Sequence, residues 1–186
     1  MTTAQYAKIG GIMVLVMFVC AIPQGYAESP VKEADFQRMG SKYGVSPYLL
    51  LAVSIVESQN GELLGKYEVS KVVDNTQLAY LKKIARHTGR DVSEFKGSAA
   101  GAMGFMQIMP STFHTYAQDG DGDGIKDPLN PHDSLATAAY YLARTIALKK
   151  NVRNALKSYN NSVEYCESVV KLSQKLELET TFASRK

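Results

Sequence analysis

Between Tyr48 and Val56 every residue but Ser54 is apolar, and the run is preceded by Ser46 and Pro47. Ser before Pro is the pattern of an N-cap followed by a first helical residue. A helix apolar on all sides is a buried one. Gln59, Asn60 and Gly61 supply its stop, so Glu57 emerges at its C-terminal end. Leu78, Leu81, Ile84 and Ala85 recur at helical spacing between Thr76 and His87, opposite Lys82, Lys83 and Arg86, and predict an amphipathic surface helix. Ser111 can cap a short helix running to Tyr116. Asp133 or Ser134 can cap a helix over Leu135 to Lys149, whose Leu135, Ala138, Ala139, Leu142 and Ile146 form one stripe. Two further helices are predicted over Val152 to Ser158 and, capped by Ser162, Val163 to Leu176. No segment alternates long enough for a strand and no repeat is visible, so the expected fold is a single compact all-α domain with little or no sheet.

Upstream of these elements, Lys8 is followed by an uncharged, largely apolar run from Ile9 to Ile22, with small residues at Gly25 and Ala27. This is the layout of an export signal over residues 1–27, which places the domain at 28–186 and in the periplasm or cell envelope. About fourteen apolar residues fall short of the ~20 that span a bilayer, although an uncleaved anchor is the alternative. Val19 before Cys20 is not the small residue that lipidation requires. Without Cys20, Cys166 has no intramolecular partner, and it reads as a small apolar side chain on a helix face. Net charge is +3, or +2 without Lys8, which offers no block of cations able to track a nucleic acid backbone. A monomer is expected.

Glu57 is the candidate for chemistry. A carboxyl at the end of so apolar a helix resists ionisation, and a carboxylic acid held protonated near neutral pH is what a glycosidic oxygen needs. The alternative is a structural pair with Lys or Arg. Gly101 and Gly104 fit either a tight turn or a close backbone approach. His87, His114 and His132 lack the spacing of a zinc site, and Met103, Met106 and Met109 read as core. Asp119-Gly-Asp121-Gly-Asp123-Gly124 matches the first half of a calcium loop, with oxygen ligands at alternate positions and a glycine at the turn. Its second half departs from that pattern: Asn130 stands where a bidentate Glu is expected, and Asp127 is available as a direct or water-mediated ligand.

Three motifs in order, Glu57-Ser58, Ser98 to Ser111 with Gly101, Gly104, Gln107 and Pro110, and Tyr159-Asn160-Asn161-Ser162 with Tyr165, resemble those of lytic murein transglycosylases, nearest the membrane-bound lytic transglycosylase B family. The resemblance implies a lysozyme-like helical fold that cleaves the glycan strands of peptidoglycan without water. Glu57 would protonate the leaving oxygen and then take the proton of the sugar's C6 hydroxyl, closing a 1,6-anhydro ring. Ser98 and Gln107 would bond the sugar, Asn160 would orient its N-acetyl group, and Tyr141, Tyr159 and Tyr165 would line the groove. The same resemblance puts Asp133 as the last acidic ligand of the loop. With Asp119, Asp121, Asp123 and the carbonyl of Ile125 it would hold a structural calcium, with no organic cofactor implied. The stretch between the first two motifs is shorter than in the B-type family, and Lys66, Lys71, Lys82 and Lys83 do not match the stem-peptide arginines found there. Two rival functions stay open: a lysozyme-type hydrolase of the same fold, and a non-catalytic, calcium-dependent wall-binding or secretion-machinery accessory protein.

Overall fold

The structure, a computed structural model, describes residues 29–183. The expected leader, with Lys8 and Cys20, lies outside the described residues. Eight helices dominate: α1 (Glu33–Tyr43), α2 (Pro47–Ser58), α3 (Val69–Val72), α4 (Asn75–Thr88), α5 (Pro110–Tyr116), α6 (Pro131–Lys149), α7 (Val152–Tyr159) and α8 (Val163–Ala183). α2 is central, with Leu49, Leu50, Ala52, Val53 and Ser54 buried, and it packs against α8, α1 and α6. α4 packs on α5, and α7 lies between α6 and α8.

Most predicted helices are present, but their caps differ. Ser46 caps α2 through its side chain to the Leu49 N–H, as the sequence suggests. α4 begins one residue earlier than predicted because the Asp74 carboxylate accepts the Gln77 N–H. α5 starts with Pro110, so Ser111 is inside the helix, where its N–H donates to Gln77 Oε1. α6 starts with Pro131, and its cap is Asn130, whose side-chain oxygen accepts the His132 and Asp133 N–H groups. Asp133 and Ser134 are therefore buried first-turn residues rather than caps. α8 begins with Ser162 Oγ accepting the Tyr165 N–H and continues past Leu176 to Ala183.

α1 was not evident from the sequence. Two strands of two residues each, β1 (Tyr67–Glu68) and β2 (Lys96–Gly97), pair antiparallel with Tyr67 opposite Gly97 and Glu68 opposite Lys96. Such short strands leave no alternation to detect. Isolated bridges carry the pairing on from Gly97 to Met103 and from Met103 to Ile108, so residues 97–108 fold back on themselves as a compact wall.

Gly104 is a tight point in that wall. Its φ is +69°, and a Cβ there would overlap the Pro128 carbonyl oxygen. Both readings of this glycine, tight turn and close approach, hold together. Gly104→Ala is expected to destabilise the domain by about 3 kcal/mol or more, read as a fall in thermal midpoint. An unchanged midpoint would mean that the loop relaxes freely.

Candidate functional site

α2 ends in a left-handed turn. Gln59 (φ 50°) and Asn60 (φ 57°) return their N–H groups to Ile55 and Ser54, and Gly61 follows. The turn stops the helix beside Glu57 and sends the chain outward. Ser58 Oγ donates to the Phe105 carbonyl at 2.7 Å, tying the end of α2 to the 97–108 wall. Tyr159, at the end of α7, donates to the Met106 carbonyl at 2.6 Å, and Ser134 Oγ accepts the Met106 N–H at 2.9 Å. Three elements distant in sequence thus clamp one loop.

Glu57 sits partly buried at this junction, and burial pushes its carboxyl up to about 7. The Tyr165 hydroxyl opposes that rise. This hydroxyl is buried beside the Glu57 carboxyl. Among the described residues no Lys or Arg pairs with Glu57, so the structural ion pair considered from sequence is not formed. Burial and the neighbouring Glu57 also push the Tyr159 and Tyr165 phenols well above their usual range, which keeps both neutral. Because the Tyr165 hydroxyl favours the charged carboxylate, Tyr165→Phe is expected to raise the Glu57 pKa further. The basic limb of any activity that depends on protonated Glu57 should then move to higher pH, and a limb moving to lower pH would contradict this reading.

The other sequence candidates fall into two groups. Asn160 follows α7, and its side chain makes no hydrogen bond within the described residues. Gln107 is nearly buried, with φ 47°. Its amide donates to Leu64 O (3.1 Å) and Gly104 O (2.9 Å), leaving Oε1 without a donor among the described residues. Non-glycine residues in this left-handed region carry strain of about 1–3 kcal/mol, held here by the reciprocal bonds between Met103 and Ile108. Ser98 Oγ accepts the Ala102 N–H, shaping the turn before the wall.

Tyr141 and Tyr159, expected to line the groove, have hydroxyls that are already bonded. Tyr141 donates to Ser158 O at 2.8 Å and Tyr159 to Met106 O, so both hydroxyls are committed to the backbone. Their rings are 5.8 Å apart, and Tyr116 lies 4.9 Å from Tyr141, forming an aromatic row beside the junction. Ser58 and Ser134 carry much of the clamp. Ser58 adjoins Glu57 in the sequence motif, but nothing local indicates its bond to Phe105. Cys166 is buried on α8, and among the described residues it forms no disulfide.

In the acidic loop the structure brings Asp119, Asp121 and Asp133 together, one carboxylate oxygen of each lying within 4.8 Å of the others. Asp133 is fully buried and accepts the Gly120 and Asp127 N–H groups at 2.7 and 2.8 Å. Burial, with Asp121 and Asp119 nearby, raises its pKa. Asp123 stands outside this cluster and accepts the Ile125 N–H. Asp127 is not available as a ligand: it accepts Arg90 Nε at 2.7 Å and ion-pairs with the same guanidinium. Asn130 is not one either, since it caps α6 and donates to Asp121 at 2.6 Å. A cavity of about 620 Å³ lies between this loop and the end of α4, away from Glu57.

The transglycosylase SLT domain model matches residues 20–151, most of the chain. This chain belongs to that family. It is 30% identical over 122 residues to the membrane-bound lytic murein transglycosylase B of Escherichia coli K12, a match covering 59% of this chain and 34% of that protein. The chain thus spans about a third of that relative's length. Among solved structures it resembles the E. coli lytic transglycosylase Slt35 in complex with calcium (TM-score 0.70, 21% identity, 79% of this chain and 71% of that one). It also resembles the soluble lytic transglycosylase SltB1 of Pseudomonas aeruginosa (TM-score 0.72, 20% identity, 80% and 75%). The all-α, lysozyme-like fold expected from the sequence is the fold of these structures.

Proposed function

We propose that this protein is a peptidoglycan lytic transglycosylase in which Glu57 acts as acid and then as base. The observation that carries the reading is a carboxyl whose pKa lies near 7 through burial alone, with no cation beside it. A group poised there gives a proton and takes one back with little driving force lost in either direction.

In the first step Glu57 transfers its proton to the glycosidic oxygen as the bond from C1 of N-acetylmuramic acid breaks and the N-acetylglucosamine end leaves. The substrate's own N-acetyl group supports the positive charge at C1, so a second protein carboxylate is not needed. In the second step the C6 hydroxyl attacks C1, a C1–O6 bond forms, and the proton of that hydroxyl returns to Glu57. A retaining hydrolase needs two carboxyl groups about 5 Å apart. Glu57 has no neighbouring carboxylate among the influences on its ionisation.

Asn160 and Gln107 Oε1, both without protein partners at their free atoms, are suited to hold the sugar's amide and hydroxyls. The Tyr165 hydroxyl, beside the Glu57 carboxyl, and the Ser98 hydroxyl are suited to serve the same sugar. Tyr141 and Tyr159 offer ring faces rather than hydroxyls.

The acidic loop fits a hard cation. Its donors are all oxygens, one of them on a buried carboxylate that repels its neighbours without a counter-ion. Calcium would be held by Asp119, Asp121 and Asp133, with Asp123 and the Ile125 carbonyl completing the shell. It would supply charge balance that pins the loop to α6, with no part in the proton transfers. Action on peptidoglycan places the protein in the cell envelope, in keeping with an export signal at residues 1–27.

Mass spectrometry of purified peptidoglycan digested by the protein tests the proposal. Products ending in 1,6-anhydro-N-acetylmuramic acid are expected. Reducing ends would make the enzyme a hydrolase, and intact glycan from correctly folded protein would remove the enzymatic reading.

A further inference from the structure

The corner between α6 and α7 carries a feature that glycan cleavage does not use. From Ser134 to Val163 the chain contains no Asp or Glu, yet it holds Arg144, Lys149, Lys150, Arg153 and Lys157. All five are exposed. Lys150 adopts the left-handed conformation (φ 51°) that turns the chain sharply, and Asn151 then caps α7. Leu148, 71% exposed, and Val152, 38% exposed, flank the turn. The corner therefore presents two exposed apolar side chains on a segment whose exposed charges are all positive. Among the described residues the one carboxylate paired with this set is Glu167, 3.4 Å from Arg153, and none pairs with the three lysines.

We infer that this corner docks on an anionic lipid surface, with Lys149, Lys150 and Lys157 facing lipid phosphates and Leu148 entering the acyl boundary. The chemistry separates this partner from an anionic wall polymer. Sugar and peptide carboxylates would satisfy the lysines, but they offer nothing to a leucine left almost wholly in water, whereas acyl chains do. No described helix is long and apolar enough to cross a membrane, so the contact lies on the surface. α7 leads from Val152 at the corner to Tyr159 in seven residue steps, a rise of about 10 Å along the helix.

Each basic side chain near an anionic leaflet strengthens binding about fivefold, so three lysines give a preference of about a hundredfold for charged over neutral lipid at low salt. The test is sedimentation of the full chain with vesicles of phosphatidylcholine alone and of phosphatidylcholine mixed with phosphatidylglycerol. The apolar run of residues 9–22 would serve both vesicles alike, so the ratio of the two isolates the corner. The parent should show the preference, and K149Q/K150Q/K157Q should reduce it to near unity with an unchanged thermal midpoint, since all three side chains are exposed. Leu148→Ser should weaken binding to the mixed vesicles about tenfold. Equal binding to both vesicles, or a preference that survives in the triple variant, would overturn the inference. So would lysine-dependent binding to purified murein sacculi with none to the mixed vesicles, which would hand the corner to the wall polymer.

Discussion

Glu57→Gln is expected to slow glycan cleavage by about a thousandfold or more, because one group serves both proton transfers, and at the same time to make the fold more stable at pH 8. The folded carboxyl titrates at about 7 and an unperturbed one at 4.5. Between those values the folded chain holds a proton that the unfolded chain has lost. Stability therefore falls as pH rises through that window, and the loss is complete above the folded value. At 1.36 kcal/mol per pH unit the difference is about 3 kcal/mol. Gln keeps the shape of the protonated acid and never ionises. The variant should match the parent at pH 4 and melt about 6 to 12 °C higher at pH 8, given the usual scaling for a chain of this size. Calorimetry at the two pH values, beside product release, decides the point. A midpoint difference that ignores pH would show that Glu57 is not the buried acid described.

Calcium should have the second large effect. At a hundredfold excess over its dissociation constant, a ligand bound only by the native state stabilises it by about 2.7 kcal/mol, or roughly 5 to 11 °C for this chain. Asp121 is exposed and the most readily altered member of the cluster. Asp121→Asn removes one charge and keeps an accepting oxygen for only one of the two donors that Asp121 serves, the Asp123 N–H at Oδ1 and the Asn130 amide at Oδ2. The metal-free variant should melt close to the metal-free parent, since relieved carboxylate repulsion offsets the one hydrogen bond lost, and it should lose the calcium-dependent rise. A rise of equal size and midpoint concentration in both proteins would place the ion elsewhere. Chelator should return the calcium-loaded parent to its metal-free midpoint.

The parts of the fold that could be read from sequence were those with a dense apolar period. α2 is apolar from Tyr48 to Val56 but for Ser54, and α6, nineteen residues long, carries its stripe from Leu135 to Ile146. α1 escaped because its core contribution is Phe36, Met39 and Gly40 on an otherwise polar segment, with a glycine in the interior of the helix. Caps misled where several oxygen-bearing residues stood together. Asn130, Asp133 and Ser134 are all chemically able to cap, and only the buried demand of the Gly120 and Asp127 N–H groups for Asp133 decides among them. At the site, Glu57 could be found from its own helix. The commitment of the Tyr159 hydroxyl to Met106 could not, because it joins residues 53 positions apart. Asp127 looked like a cation ligand for the same reason: its partner, Arg90, lies 37 residues away.

The clamp on the 97–108 wall gives the molecule a built-in order of events. Glu57 gains its raised pKa from burial, and that burial exists only when α2, α7 and α8 have packed together around the junction. In a nascent or unfolded chain the same side chain is an ordinary carboxylate, almost fully ionised at neutral pH and unable to serve as an acid. Assembly of the last helices is thus the step that converts Glu57 into a group able to hold a proton near neutral pH.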